Sequence, residues 1–368
     1  MATRGLLRAE LVLAAWSAST PGTATGASES ALATYPAGTI VWARSVGGLL
    51  GVTLPALREF VVRPYWQESS GLRKDYPEAF VQIVGGPDAH GRIAYVERRL
   101  AGRHFADALK VIGTDGIGDR LVTPLRSAAG ARLGETLALA PRAGRAAFVS
   151  ETRGAAITGR PYYLAEGALE VWDVDARRRL PLRLTALDAG LSWLPDSTTL
   201  AYVATVARAA IPAHLDPIEG HGVFARSSHV PGIHLLDTDS RRQTLIQLGT
   251  DPLVSSDGDS LLMVSLTGRL RRVTLRTGET TDVMLPDKRG RAVALLKGRY
   301  VLYRARPAEG EPIARSPYGS FRAGLEMISL KIRDIETGAF QTVVPIIDPR
   351  WSVSFGAAAS AHTGGTQP

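Results

Sequence analysis

Cysteine is absent from all 368 residues. Without a thiol the chain forms no disulfide, offers no thiolate to a metal and has no cysteine nucleophile. An oxidising and a reducing compartment both tolerate that absence. Long apolar runs are missing as well, and no stretch approaches the ~18 residues needed to cross a bilayer as a helix. Lysine is scarce: arginine supplies nearly all of the 43 basic side chains, which outnumber 35 acidic ones and give a formal net charge of +8. Such a balance can serve nucleic acid or another anionic surface when the charge is clustered. Here the arginines are scattered, often in turns such as Arg177, Arg178 and Arg179. They read as compositional bias, and nucleic acid is not the expected partner. Local catalytic signatures are missing too. There is no phosphate loop, dinucleotide fingerprint or zinc-protease helix, and no Gly-x-Ser-x-Gly pentapeptide.

What the chain does have is repetition. Leu169-Glu-Val-Trp-Asp-Val-Asp175 is echoed by Ile233-His-Leu-Leu-Asp-Thr-Asp239, by Leu270-Arg-Arg-Val-Thr274 and by Leu330-Lys-Ile-Arg-Asp334. Looser copies start at Leu109 and Leu49. Each copy predicts a strand, a polar turn and a second strand. A second motif precedes each copy and is clearest in Leu191-Ser-Trp-Leu-Pro-Asp-Ser197 with Leu200-Ala-Tyr-Val203. Related forms run from Leu137 to Ser150, Pro252 to Ser265, Val293 to Tyr303 and Val81 to Val96. It too predicts two strands around a turn. Two motifs make a four-stranded unit, called here strands A, B, C and D. A chain with 45% hydrophobic residues is too large for one simple core, but repeated units can each pack on their neighbours.

The ends complete the pattern. Thr39 to Ser45 reads as a strand B with no strand A before it, and Trp351-Ser-Val-Ser-Phe355 as a strand A with nothing after it. The expected fold is therefore an all-β, six-bladed β-propeller with four antiparallel strands per blade, closed by the C-terminal strand completing blade 1. It would occupy residues 39–356, after a lead-in over 1–38 and before a flexible tail over 357–368 rich in small and polar residues. Arg4 and Arg8 precede the apolar Leu11-Val-Leu-Ala-Ala15 segment. If residues 1–27 act as a signal peptide the protein is periplasmic or secreted, and otherwise cytoplasmic.

The Ser192-Trp-Leu-Pro-Asp-Ser197 to Val203 signature, with strands ending Trp172-Asp-Val-Asp175 or Leu236-Asp-Thr-Asp239, resembles the TolB-type, WD-like propeller repeat. Prolyl-oligopeptidase-like peptidases carry similar propellers. The resemblance implies a fold and not an activity. Within these 368 residues the repeats are expected to leave no stretch for the hydrolase domain that those peptidases carry.

Long insertions are expected between strands B and C at 97–107, 151–167, 207–232 and 304–326, and in the D–A connection over 63–79. All fall on one face, where loops on a rigid scaffold usually carry function. Aromatic and arginine side chains there make the candidate binding set: Trp66, Arg160, Tyr162, Tyr163, Arg315, Tyr318 and Phe321. The expected function is a non-catalytic scaffold, a monomer binding a protein, peptide or small ligand, with no cofactor. The alternative is a propeller hydrolase or lyase. Its acid–base residues would be His214, Asp216 and His221, and a divalent metal would be held by these with His229, since imidazole and carboxylate together suit such ions. Trp172 and Trp193 alternate within strands and are expected in the core.

Overall fold

The repeated segments fold as strand pairs because their apolar residues alternate with polar ones, the period of a sheet with two different faces. The computed structural model describes residues 35–43, 48–63, 79–101, 104–125, 136–159, 162–215, 224, 227–286, 290–305, 328–347 and 352–357. In chain order, β1 (Gly38–Ala43), β2 (Leu49–Leu54) and β3 (Arg58–Arg63) come first. Next are β4 (Ala79–Gly85), β5 (Arg92–Ala101), β6 (His104–Gly113) and β7 (Arg120–Leu125). The third repeat holds β8 (Leu137–Leu139), β9 (Arg145–Gly159), β10 (Tyr162–Asp173), β11 (Arg178–Arg179) and β12 (Thr185–Leu187). It is followed by β13 (Leu191–Trp193), β14 (Thr199–Ala207), β15 (His229–Asp237) and β16 (Gln243–Val254). Then come β17 (Ser260–Ser265), β18 (Leu270–Thr274) and β19 (Thr280–Asp282). The last are β20 (Arg291–Leu296), β21 (Tyr300–Ala305), β22 (Ile328–Asp334), β23 (Phe340–Ile347) and β24 (Val353–Ala357). Among the described residues a single 3-10 turn, Arg208–Ala210, is the only helix.

These strands make an all-β propeller arrangement of five hydrogen-bonded sheets. The orders are β24-β1-β2-β3, β4-β5-β6-β7, β8-β9-β10-β11 with β12 also on β10, β13 through β19, and β20-β21-β22-β23. The fourth and fifth repeats share one seven-stranded sheet because β16 runs through both. Its first half pairs with β15 and its second with β17. Gly249 at the handover has φ +150, and a Cβ there would collide with the carbonyl oxygen of Val264. Only glycine lets the chain pass without leaving the ladder.

The last strand returns to the first. β24 pairs antiparallel with β1, from Gly38 opposite Ala357 to Trp42 opposite Val353. The strand begins two residues later than the alternation suggests. Val353 and Phe355 are partly buried, and Trp351 lies outside the described residues. Each innermost strand touches the next, in the order β24, β4, β8, β13, β16, β20 and back to β24. Backbone approaches make this ring tight: a Cβ on Gly85 would lie 2.6 Å from the Leu137 carbonyl oxygen. Serine hydroxyls stitch it. Ser352 and Ser354 Oγ accept from the N–H groups of Val84 and Gly86, and Ser192 Oγ from that of Val254.

The core lies between sheets. Val96 and Val111 of the second sheet pack with Phe148 of the third, and Ile40 and Trp42 of the first with Leu330 and Ile332 of the last. Trp193 is buried as expected, whereas Trp172 is only partly so and donates Nε1–H to Glu170.

Turns explain the Asp residues of the repeat. Asp173 Oδ1 accepts from the N–H groups of Asp175 and Ala176, Asp237 Oδ1 from Asp239 and Ser240, and Asp334 Oδ1 from Glu336 and Thr337. The side chain holds each tight C–D turn by satisfying backbone donors that no strand reaches.

Candidate interaction face

In sheets whose strands alternate direction, the B–C and D–A connections leave from one end and the A–B and C–D turns from the other. Two of the expected B–C insertions are not loops but prolonged hairpins. The β5–β6 ladder runs unbroken from Arg92 opposite Gly113 to Ala101 opposite His104, so 97–107 is mostly strand. The β9–β10 ladder runs from Arg145 opposite Asp173 to Gly159 opposite Tyr162, with register shifts near Ala165. Continuing the ladder satisfies the backbone groups of a projecting segment, which a bare loop would leave to water.

The base of the β5–β6 hairpin carries an ionic cluster. Glu97, buried, meets Arg63 Nη1 at 2.8 Å, Arg99 Nη2 at 3.3 Å and Lys110 Nζ at 3.5 Å. Burial alone would raise the Glu97 carboxyl, but the bond to Arg63 and the charges of Arg63, Lys110 and Arg99 hold it below the usual range. On the other side of the strand, Arg98 grips Asp107 through two hydrogen bonds of 2.7 and 2.8 Å. Tyr95, fully buried, donates to Asp119 at 2.7 Å, and Arg63 and Lys110 stand 5.7 and 5.8 Å from its ring centre. Burial, reinforced by that hydrogen bond, pushes the Tyr95 hydroxyl up.

Tyr95 and Lys110 belong to a set. The second residue of each repeated motif, on strand C, faces one residue of strand B: Leu50 opposite Trp42, Lys110 opposite Tyr95, Glu170 opposite Phe148, His234 opposite Tyr202, Arg271 opposite Met263 and Lys331 opposite Tyr303. Most of these pairs set an ionisable group against an aromatic ring between neighbouring sheets. Their only signal was the second place of the repeated motif, and the ring partner appears only once the register is known.

The sequence-predicted residues divide. Tyr162 and Tyr163 open β10 at the hairpin tip, opposite Gly159 and Thr158. Trp66, Arg160, Arg315, Tyr318 and Phe321 lie outside the described residues, as do Asp216 and His221. His214 is exposed beyond the 3-10 turn. His229 is also exposed, opens β15 opposite Ala207, and has Nδ1 2.9 Å from Ser228 Oγ. His234 points elsewhere: its ring lies 5.5 Å from that of Tyr202. Its Nε2 is buried without a hydrogen-bond partner, and burial lowers its pKa. Among the described residues no group of three His, Asp or Glu side chains could hold a metal ion, and no helix is long and apolar enough to cross a membrane.

No protein-family model matches the chain, and no curated protein matches it. Solved structures do. The nidogen/laminin complex matches at TM-score 0.51 and 9% identity, covering 88% of this chain and 100% of that one. A protein designated TolB from Agrobacterium tumefaciens matches at TM-score 0.45 and 12% identity, covering 89% of this chain and 100% of that one. A prolyl endopeptidase structure matches at TM-score 0.43 and 19% identity, covering 72% of this chain but 36% of the peptidase. TolB and a prolyl endopeptidase are thus among the structural neighbours, as the repeat resemblance implies. At these identities the likeness is one of fold.

Proposed function

We propose that the chain is a six-bladed propeller scaffold that binds a protein, peptide or small ligand on the face bearing the B–C and D–A connections. The six-blade count takes β16 as the outer strand of one blade and the inner strand of the next. The closed succession of six innermost strands supports it. The one-sided projection of the β5–β6 and β9–β10 hairpins carries the binding reading. Strands paired up to Ala101 opposite His104 and Gly159 opposite Tyr162 are ordered before a partner arrives, which lowers the ordering cost of an interface. The buried ion cluster at the β5–β6 base fixes that hairpin further, because breaking a buried pair leaves an uncompensated charge. Tyr162 and Tyr163 at the other tip are the residue type that supplies large contact area at small entropic cost.

Partner captured from native extract by the immobilised full chain, then titrated against wild type and Y162S/Y163S, tests this reading. At least tenfold weaker binding by the variant, with an unchanged melting temperature, is expected. Amide protection on binding should fall on 97–107 and 153–163. Protection confined to the C–D turns, with affinity unchanged in the variant, would overturn it.

A further inference from the structure

A second site lies away from the hairpin-bearing face, near the C–D turns of the third and fourth repeats. It begins with Pro181, which has no N–H to give to a ladder. Leu180 N–H still donates to Val171 O, and Leu169 N–H to Leu184 O. Between those two bonds Pro181, Leu182 and Arg183 stand opposite Glu170 alone, and Leu182 N–H turns back onto Leu180 O. The outer strand of the third repeat is therefore split into β11 and β12 by a bulge. This bulge faces the next repeat's turn across an open cleft of about 480 Å³ lined by Pro181, Leu182, Arg183, Leu184, Arg241 and Gln243.

The lining is rich in donors and apolar surface. Arg183 and Arg241 are exposed and have no acidic partner among the described residues. The carboxylates of the two C–D turns are engaged elsewhere. Asp173 and Asp237 hold their own turns, Asp175 pairs with Arg92 and Arg120, and Asp239 with Arg145. The turns place Arg177 and Arg241 at equivalent positions, each with positive φ, and Arg178 and Arg242 follow them, exposed. Gln243 Oε1 accepts the Tyr202 hydroxyl, which leaves its NH₂ as the end available to a ligand. Pro181, Leu182 and Leu184 form an apolar wall beside these donors.

From this arrangement we infer that the cleft between the third and fourth repeats binds an organic anion, a carboxylate or phosphate group on an aliphatic body. A guanidinium fork can meet a pair of oxygens of either group, and the volume lies in the range of small-molecule sites. A single-stranded nucleic acid is disfavoured because the lining offers no aromatic ring for a base to stack on.

Calorimetric titration of the full chain with hexanoate, hexyl phosphate, inorganic phosphate and hexanol tests the inference. Saturable one-to-one binding of hexanoate or hexyl phosphate is expected, and which of the two binds more tightly names the headgroup. Hexanol and inorganic phosphate should each bind at least tenfold more weakly, since one lacks the charge and the other the aliphatic body. R183Q/R241Q should lower affinity at least tenfold, whereas R276Q, on the exposed turn after β18, should not. If the double variant fails to melt cooperatively, the single variants R183Q and R241Q carry the comparison. Absence of saturable binding, equal affinity for hexanol or for inorganic phosphate, or a double variant that binds like wild type would each overturn the assignment. So would a short DNA that binds through Arg183 and Arg241 when neither organic anion does.

Discussion

His234 lies five residues from the exposed His229, yet the strand turns it into the layer between the third and fourth repeats, against Tyr202. Its pKa is lowered by burial, so the folded state resists a proton that the unfolded chain accepts near pH 6.5. Above that pH both states are neutral and the native packing keeps its full stability. As pH falls below it the unfolded chain gains protons first, and stability drops until the folded pKa is passed. Chemical denaturation between pH 8 and 5 should show this loss in wild type and a smaller one in H234F. Equal slopes would remove His234 as the cause. Asp334 acts in the same sense at lower pH, since its lowered pKa also makes the folded state resist a proton. Arg299, backed by the turn N–H groups, holds its carboxyl at about 2. Its contribution is therefore present above pH ~4 and fades as pH falls toward 2. D334A, leaving those turn donors unanswered, should cost about 1–3 kcal/mol in urea melts. The turn Asp residues were legible as part of the repeated motif. The ring opposite most second motif residues was not, since Tyr95 and Lys110 are joined only by register.

At the scale of elements, the alternation of apolar residues was enough to find the A–B and C–D hairpins. It failed where strands outran their motif. Ser150 to Gly159 is polar, glycine-containing and without clean alternation, so it read as an insertion. The ladder nonetheless continues through it, because pairing is how a projecting backbone satisfies its own donors and acceptors. The 12-residue β16 joins two repeats for the same reason, with Gly249 doing what no other residue could. Pro181 went unremarked, although its missing donor is what divides the outer strand of the third repeat. Element packing gives a sharp test at the ring's inner edge. The Cβ of G85A would press on the Leu137 carbonyl, where backbone must move to make room. A loss of about 1–3 kcal/mol is expected from such overpacking. G268A, where a Cβ meets open space, should lose less, with only its φ of +78 against it. Equal losses would mean that β4 and β8 are not so close.

For the whole molecule, closure matters more than any single contact. The ring of innermost strands is completed by a strand that arrives last in the chain, and the layer between first and last sheets holds Ile40, Trp42, Leu330 and Ile332. Removing 349–368 would take β24 away and leave β1 with an open edge, a template for pairing with other chains. That truncation should aggregate, while removal of 358–368 alone should leave solubility and melting unchanged. The closing strand was legible in sequence as an unmatched strand A. What lines the connections on the hairpin-bearing face was legible only as residue types, Tyr162 and Tyr163 being the two whose backbone position at a hairpin tip is now known. Because the chain has no cysteine, one measurement tests closure directly. Val41 and Ser354 are directly opposed on β1 and β24. Oxidation of V41C/S354C should form an intramolecular disulfide in the folded protein and raise its melting temperature over the reduced form, since it closes a very long loop. Free thiols that remain titratable in the native, soluble protein would contradict the closed ring.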